Sequence, residues 1–250
     1  MTPALPAAFL DRPLAHRALH GPGAPENSLT AIRRAIEAGY GVEIDVQLSS
    51  DGQAMVFHDE HLTRLTEASG AVRQHDSAAL QQIALRGGTD TIATLTQVLD
   101  LVAGRVPLLI EIKDQDGRLG TDLGPLEQAT TAALANYKGP VAVMSFNPHS
   151  VALMAQLAPH IPRGLTTCAY SAKDWPDLPE ATRSTLRAIP DYDRTKACFI
   201  SHHAVDLAAP RVAELKTGGA VILCWTIRSG ADEIAARVHA DNITFEGYAA

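Results

Sequence analysis

The sequence has few cysteines, few aromatic residues and no excess of positive charge. Its 250 residues include three cysteines, and phenylalanine, tryptophan and tyrosine together make up 5% of the chain. The cysteines, Cys168, Cys198 and Cys224, are odd in number and far apart, so they predict neither a disulfide framework nor a zinc site. Lysine and arginine total 21 against 28 aspartates and glutamates, which gives a net charge of −7. This balance argues against nucleic-acid binding, which needs a basic face for phosphates.

Long apolar runs are missing as well. No stretch of the chain approaches the ~18 apolar residues that a membrane span requires, so we expect no stable membrane insertion. The segment 1–10 is mildly apolar, but it contains Pro3 and Pro6 and lacks the basic start of a signal peptide. We interpret it as the mature N-terminus of a cytoplasmic protein. The oligomeric state cannot be predicted from this sequence.

Short apolar runs alternate with helical stretches along almost the whole chain. Nine runs are typical of strands, at 14–17, 42–47, 54–57, 108–112, 141–145, 163–166, 197–201, 221–226 and 242–245. The turn sequence Ser-Ser-Asp-Gly at 49–52 predicts that 54–57 is a hairpin partner of 42–47. Helices are predicted at 28–38, 123–136, 149–157, 178–188, 208–217 and 231–238.

The alternation of strands and helices indicates an α/β protein with a parallel sheet. Without the hairpin partner the strands number eight, the count of a TIM (β/α)8 barrel. We expect one domain over residues 1–250, because no linker or low-complexity segment divides the chain. The polar, weakly periodic stretch 62–90 is interpreted as an excursion after the hairpin that follows the second barrel strand.

Three acidic residues lie on predicted strands. Glu43 and Asp45 are two residues apart, so their side chains share one face of their strand, and Glu111 ends the next barrel strand. Carboxylates inside a barrel are costly unless something compensates them. A hard divalent cation such as Mg²⁺ or Ca²⁺ would do so, because these ions prefer oxygen ligands. Salt bridges to Arg17 and Lys113 would do so too, and the spacing alone favours neither interpretation.

Two histidines also follow apolar strands, at the end of a barrel where active sites form. His16 and His58 each lie beside a charged residue. Imidazole titrates near neutral pH, so such a pair could provide a general acid and a general base, although a single strand-end histidine more often caps backbone groups. Arg17 and Lys113 would bind phosphate oxygens, arginine as a planar fork and lysine as a point charge.

Five short motifs in this order resemble the glycerophosphodiester phosphodiesterase family. They are Ala-His-Arg-Ala at 15–18, Pro-Glu-Asn-Ser at 25–28, Glu-Ile-Asp-Val at 43–46, Val-Phe-His-Asp at 56–59 and Glu-Ile-Lys at 111–113. Each motif alone is weak, but the five in order are specific. Weaker similarities at 145–146, 225–227 and 241–244 extend the resemblance over nearly the whole chain.

The resemblance implies a TIM barrel that hydrolyses small glycerophosphodiesters to an alcohol and sn-glycerol 3-phosphate, with one bound Mg²⁺ or Ca²⁺. It does not assign which histidine is the acid and which the base. The implied site comprises the catalytic His16 and His58, the metal ligands Glu43, Asp45 and Glu111, and the substrate-binding residues Arg17, Lys113, Glu26, Phe146 and Trp225. Core packing would explain Phe146 and Trp225 nearly as well.

Some positions depart from the family pattern. Arg228 stands near where the family often has asparagine, and Glu246 belongs to a Phe-Glu-Gly ending where Thr-Asp is common. The roles of Glu246 and of His202 and His203, which follow the predicted strand 197–201, are left open. Three alternative functions are a lysophospholipase D acting on lysolipids, a non-catalytic phosphate-binding barrel, and a metal-dependent sugar isomerase or aldolase.

Overall fold

A computed structural model of the protein describes residues 3–250 and shows eight parallel strands closed into a barrel. The strands are β1 (Leu14–Ala15), β2 (Gly41–Leu48), β3 (Ala54–Val56), β4 (Ala93–Thr94), β5 (Leu108–Ile112), β6 (Val141–Ser145), β7 (Arg163–Thr167), β8 (Phe199–His203), β9 (Val221–Ile227) and β10 (Asn242–Phe245). The barrel closes because β1 pairs with both β2 and β10. The strands β3 and β4 lie outside it as an antiparallel extension of β2. The predicted TIM-barrel fold is confirmed.

Helices connect the barrel strands, and a short helix precedes the first of them. They are α1 (Ala8–Asp11), α2 (Leu29–Ala38), α3 (Ser77–Leu80), α4 (Leu95–Val102), α5 (Pro125–Leu134), α6 (Pro148–Leu157), α7 (Glu180–Arg187), α8 (Pro210–Thr217) and α9 (Gly230–Ala236). The sequence sets the ends of α2, because the Ser28 hydroxyl accepts a hydrogen bond from Ala31 N–H and Gly39 adopts a left-handed conformation. Within residues 3–250, no helix combines the length and apolar character needed to cross a membrane.

The interior of the barrel is apolar at one end and charged at the other. The apolar end, where the strands begin, is filled by Leu5, Phe9, Leu14, Leu109, Ala142, Phe199 and Leu223, and Met144 of the same cluster reaches the charged end. The segment containing α1 covers this end, and the side-chain amide of Asn242 donates to the carbonyl oxygen of Phe9 at 2.7 Å. The buried acidic side chains Glu43, Asp45 and Glu111 lie towards the opposite end of the barrel, where active sites form.

The structure corrects the bounds of two predicted strands. The strand predicted at 14–17 ends at Ala15, because Arg17 and Ala18 have φ angles of 50° and 65° and turn the chain away. The strand predicted at 197–201 runs instead from Phe199 to His203, so the two histidines lie within it. As a result, His16 lies just after the end of β1, and His202 and His203 are the last two residues of β8.

The strand β4 and the helix α4 were not predicted from the sequence. The start of α4 nevertheless carries a recognisable signal, because Thr94 and Gln97 form a capping box. The polar excursion contains α3 and two short 3₁₀ helices, Leu62–Arg64 and Val72–Gln74. It packs around its own small core of Met55, Phe57, Leu62, Val72, Leu80, Leu85 and Ile92. Met1 and Thr2, part of the predicted mature N-terminus, lie outside the described residues.

Replacing Gly164 by alanine tests the packing of the barrel interior. A Cβ at this position of β7 would lie 2.3–2.5 Å from ring atoms of Phe199. We expect Gly164→Ala to lower the free energy of unfolding by about 1–3 kcal/mol, the usual range for overpacking a core. Chemical denaturation measures it. Gly230→Ala is the control, because a Cβ there meets nothing within 4 Å. Equal stability of Gly164→Ala and the unmodified protein would contradict this tight packing.

Candidate active site

A cavity of about 140 Å³ opens at the charged end of the barrel. Nine of the ten site residues that the sequence predicts line it, and Glu26 lies just outside. The lining residues are His16, Arg17, Glu43, Asp45, His58, Glu111, Lys113, Met144, Phe146, Trp225, Thr226, Arg228 and Thr244. The fold therefore brings together residues that are more than 200 positions apart in the sequence.

Three carboxylates form the floor of the cavity. Glu43 and Asp45 project from β2, and Glu111 projects from β5, where it lies directly opposite Asp45 in the strand register. Each of the three offers an oxygen within 4.8 Å of the other two. Their exposed fractions are only 2%, 2% and 6%. Such a compact set of buried oxygen donors suits a single hard cation.

Two cationic side chains neutralise part of this charge. Lys113 Nζ lies 2.7 Å from Asp45 Oδ1 and also contacts the Glu111 carboxylate. Arg17 Nε lies 3.8 Å from Asp45 Oδ2. Burial alone would raise the pKa of Asp45, but the charges of Lys113, His58 and Arg17 lower it far below its ordinary value. Asp45 is therefore ionised and paired.

Glu43 is the carboxylate that these cations do not satisfy. Its side chain accepts a hydrogen bond from Arg17 N–H at 2.8 Å. Among residues 3–250, however, it forms no ion pair within 4.0 Å. Burial, together with the charges of Asp45 and Glu111, raises the pKa of Glu43 well above the ordinary value. A divalent cation among the three carboxylates would remove this penalty, so the residues present fit such an ion.

Each of the two predicted catalytic histidines is held by a carboxylate through Nδ1. His16 Nδ1 lies 2.6 Å from Glu246 Oε2, and His58 Nδ1 lies 2.7 Å from Asp59 Oδ1. In both cases Nε2 is the ring nitrogen left for other partners. Burial lowers the pKa of His16, and this effect outweighs the hydrogen bond that His16 donates to Glu246, which raises it. The neutral imidazole is therefore favoured at this position.

A chain of ion pairs connects His58 to Arg17. Asp59 accepts hydrogen bonds from Arg64 Nε at 2.5 Å and from Arg64 Nη2 at 3.0 Å. Arg64 also donates to both oxygens of Glu26, and Glu26 accepts from Arg17 Nη1 at 2.9 Å. Glu26 thus supports Arg17 from outside the cavity. Arg64 was not among the predicted residues, because it lies in the polar excursion, where no motif marks it.

Asn27 is a second residue that the sequence analysis did not assign to the site. It is 1% exposed and has a φ of 59°, a backbone conformation that asparagine tolerates better than most residues. Its Nδ2 donates to Asp45 Oδ2 at 2.9 Å, and its Oδ1 accepts from Asp45 N–H at 3.1 Å. These paired bonds fix the Asp45 carboxylate. The motif at 25–28 contained this residue, but its sequence indicated only the start of a helix.

Aromatic rings form one wall of the cavity. The Phe146 ring centroid lies 5.6 Å from Trp225 and 5.1 Å from Trp175. His203 stacks on Trp225 with centroids 4.7 Å apart, which places it beside the cavity. His202 is on the opposite face of β8, where its Nδ1 lies 2.8 Å from Thr167 Oγ1 and the side chain is buried outside the barrel. Of the two adjacent histidines, His203 is therefore the one that contacts a residue lining the cavity.

Residues 16–243 match the model of the glycerophosphoryl diester phosphodiesterase family. The chain belongs to this family. It is 33% identical over 173 residues to a glycerophosphodiester phosphodiesterase of Caldanaerobacter subterraneus, covering 65% of this chain and 69% of the relative. It is 28% identical over 227 residues to a putative glycerophosphodiester phosphodiesterase of Bacillus subtilis, with 86% of each chain covered. The resemblance carried by the five sequence motifs is confirmed.

Solved structures of the family share the barrel. A phosphodiesterase from Oleispira antarctica in complex with the product sn-glycerol-3-phosphate superposes with a TM-score of 0.79 at 25% identity, covering 96% of this chain and 94% of that one. A putative glycerophosphodiester phosphodiesterase from Galdieria sulphuraria has a TM-score of 0.76 at 17% identity, covering 94% and 93%. The second likeness supports the fold alone.

The raised pKa of Glu43 predicts a pH-dependent penalty on stability. The folded chain holds this proton more tightly than the unfolded chain, so stability falls as pH rises from the ordinary glutamate pKa through the raised one. With chelator present, we expect Glu43→Gln to raise the melting temperature at pH 8 by about 2–4 °C, the shift that about 1 kcal/mol gives at this size. Differential scanning calorimetry at a series of pH values measures the melting temperature.

The rise in melting temperature of Glu43→Gln should shrink as pH is lowered towards the ordinary glutamate pKa, because the Glu43 side chain of the unmodified protein is then uncharged as well. Glu37→Gln is the matched control, because Glu37 is exposed on α2. We expect Glu37→Gln to leave the melting temperature unchanged throughout. A lower melting temperature for Glu43→Gln at pH 8 in chelator would contradict the strain assigned to Glu43.

Proposed function

We propose that the protein hydrolyses glycerophosphodiesters to an alcohol and sn-glycerol 3-phosphate, using one divalent cation and two histidines. The observation that carries this proposal is the common cavity: His16 and His58 line it with the three buried carboxylates and two cationic side chains. The names of the family relatives and the product bound to the Oleispira antarctica phosphodiesterase support the same substrate class.

Glu43, Asp45 and Glu111 are the residues that would hold the cation. Three carboxylate oxygens suit Mg²⁺ or Ca²⁺, and Glu43, which has no ion-pair partner among residues 3–250, supports binding of such an ion. When bound, the cation supplies electrostatic stabilisation to the non-bridging oxygens of the phosphate. Asn27 and the backbone N–H of Arg17 keep the carboxylates in place through their hydrogen bonds.

Arg17 and Lys113 would bind the phosphate group beside these carboxylates. Both side chains line the cavity and are mostly buried, so their charges act at short range with little screening by water. Arginine offers a planar pair of donors, and lysine offers a compact charge. The role of Glu26 is to position Arg17, with which it forms an ion pair at 2.9 Å.

The two histidines would transfer the protons of the reaction. One accepts a proton from the nucleophile, either water or the 2-hydroxyl of the glycerol group, and the other donates a proton to the departing alkoxide. Attack by the 2-hydroxyl passes through a cyclic phosphate. In each histidine Nδ1 is bonded to a carboxylate, so Nε2 performs the transfer. Phe146 and Trp225 provide an apolar surface for the carbon atoms of the glycerol or the alcohol.

The composition of the cavity favours small polar diesters over lysolipids. Its only apolar side chains, among the residues that line it, are Met144, Phe146 and Trp225. The presence of both histidines and all three acids argues against a non-catalytic phosphate-binding barrel. A sugar isomerase or aldolase would leave the pairing of two histidines with two phosphate-binding cations unexplained. A cytoplasmic location stays a prediction, which cell fractionation would check.

The direct experiment is release of sn-glycerol 3-phosphate from glycerophosphocholine and glycerophosphoethanolamine, followed by phosphorus NMR. We expect release with Mg²⁺ or Ca²⁺ and none with chelator. His16→Ala and His58→Ala should each lose about 10²- to 10⁴-fold in rate, the usual contribution of general acid–base catalysis. His160→Ala, an exposed histidine away from the cavity, is the matched control. Near-normal rates in either of the first two variants, or release after verified removal of the metal, would contradict the mechanism.

We expect Asn27 to strengthen cation binding, because it holds the carboxylate of Asp45 in place. Asn27→Gly removes both bonds to Asp45 and tolerates the φ of 59°. We expect it to weaken Ca²⁺ binding about 10- to 100-fold, as loss of groups that orient metal ligands does elsewhere. Isothermal titration measures the affinity. Asn136→Gly, at an exposed asparagine, should bind Ca²⁺ normally, and unchanged affinity in Asn27→Gly would show that Asp45 needs no such support.

A further inference from the structure

Glu246 contacts three neighbouring residues through its backbone and its carboxylate. Its backbone N–H donates to the carbonyl oxygen of Ile227 at 2.9 Å. Its Oε1 accepts from Arg228 Nε at 2.9 Å and lies 2.8 Å from Arg228 Nη2. Its other oxygen, Oε2, is the one that lies 2.6 Å from His16 Nδ1. Both carboxylate oxygens are therefore engaged, and the side chain has little freedom to move.

The closing pair of barrel strands brings Glu246 to His16. In the register of β1 and β10, Ala15 lies opposite Phe245. The residues that follow them, His16 and Glu246, are therefore neighbours. The backbone N–H of His16 also donates to the carbonyl oxygen of Phe245 at 2.9 Å. Arg228 comes from the end of β9, the next strand round. Three neighbouring strand ends thus supply a histidine, a carboxylate and an arginine.

The same arrangement recurs at the other histidine. His58 Nδ1 lies 2.7 Å from Asp59, and Asp59 is held by two nitrogens of Arg64. There the carboxylate is the next residue in the sequence, and the arginine comes from the polar excursion. Two unrelated parts of the chain therefore form the same arrangement, in which an arginine fixes a carboxylate and the carboxylate fixes Nδ1 of a histidine.

We propose that Glu246, anchored by Arg228, is a positioning residue that holds His16 in the tautomer protonated at Nδ1. A carboxylate can only accept hydrogen bonds, so its partner Nδ1 must carry the proton. The lone pair then lies on Nε2, the nitrogen that the proposed function assigns to proton transfer. This inference rests on the proposed function for its catalytic meaning, but the tautomer itself can be measured separately.

The surroundings of Glu246 keep it ionised. Its contacts with His16 and His20, together with the charge of Arg228, lower the pKa of its carboxyl far below the ordinary glutamate value. His20 Nε2 lies 3.6 Å from the oxygen that meets His16. The carboxylate therefore stands between two imidazoles and an arginine, and it remains an acceptor.

The substitution Glu246→Gln gives an unusually specific test. Arg228 has only donors, so it will draw the glutamine carbonyl oxygen towards itself. The glutamine NH₂ then faces His16 Nδ1, which must accept, and the proton moves to Nε2. Nitrogen NMR of ¹⁵N-histidine-labelled protein, with His16 assigned through His16→Ala, reports this directly. We expect inversion of the His16 tautomer, a fall in kcat of about 10²-fold or more, and a change in KM below about threefold.

Two further variants complete the experiment. Glu246→Asp keeps the charge and should retain the Nδ1-protonated tautomer and recover part of kcat. Glu214→Gln removes a carboxylate that pairs with Arg211 on α8, and it should change neither the tautomer nor the rate. An unchanged His16 tautomer in Glu246→Gln would overturn the inference, whatever happens to the rate. A protein that inverts the tautomer but cleaves no glycerophosphodiester would contradict the proposed function and leave the positioning role supported.

Discussion

The burial of three carboxylates within 4.8 Å of one another is the constraint on which the rest of the site depends. Like charges repel strongly where water is scarce, so the carboxylates need cations and hydrogen-bond donors around them. Lys113 and Arg17 pair with Asp45, and Asn27 fixes its orientation, while Glu43 is left with a raised pKa. This penalty is the kind of local cost that proteins accept at functional sites, and the cation and phosphate of the proposed function would restore the balance of charge.

The fold makes this arrangement possible by separating apolar and charged layers inside one barrel. The apolar layer fixes the strands, and the strands then hold the carboxylates and cations at the other end. Beyond the cavity the charges continue to alternate, from Arg17 through Glu26 and Arg64 to Asp59. The histidines are thus attached to carboxylates that arginines hold, which limits rotation of the rings and leaves Nε2 free for other partners. The same ion pairs therefore fix the orientation of the histidine rings and set the charge around them.

Much of this could be predicted from the sequence, because local patterns encode it. Alternating strands and helices predict the barrel, and the spacing of Glu43 and Asp45 predicts their shared face. Contacts made by closure of the barrel could not be predicted, since His16 and Glu246 are 230 positions apart and no periodicity connects them. The first strand was predicted too long because the chain turns at Arg17 with a positive φ, and an arginine in the sequence gives no sign of such a conformation.

A crystal structure with Ca²⁺ and sn-glycerol 3-phosphate would show whether the three carboxylates hold a cation beside the phosphate and the two histidines. We expect one ion, about 2.3–2.6 Å from oxygens of Glu43, Asp45 and Glu111. We also expect a phosphate that contacts this ion and lies within hydrogen-bonding distance of Nε2 of both His16 and His58. An ion bound elsewhere, or a phosphate that contacts neither histidine, would contradict the proposed function.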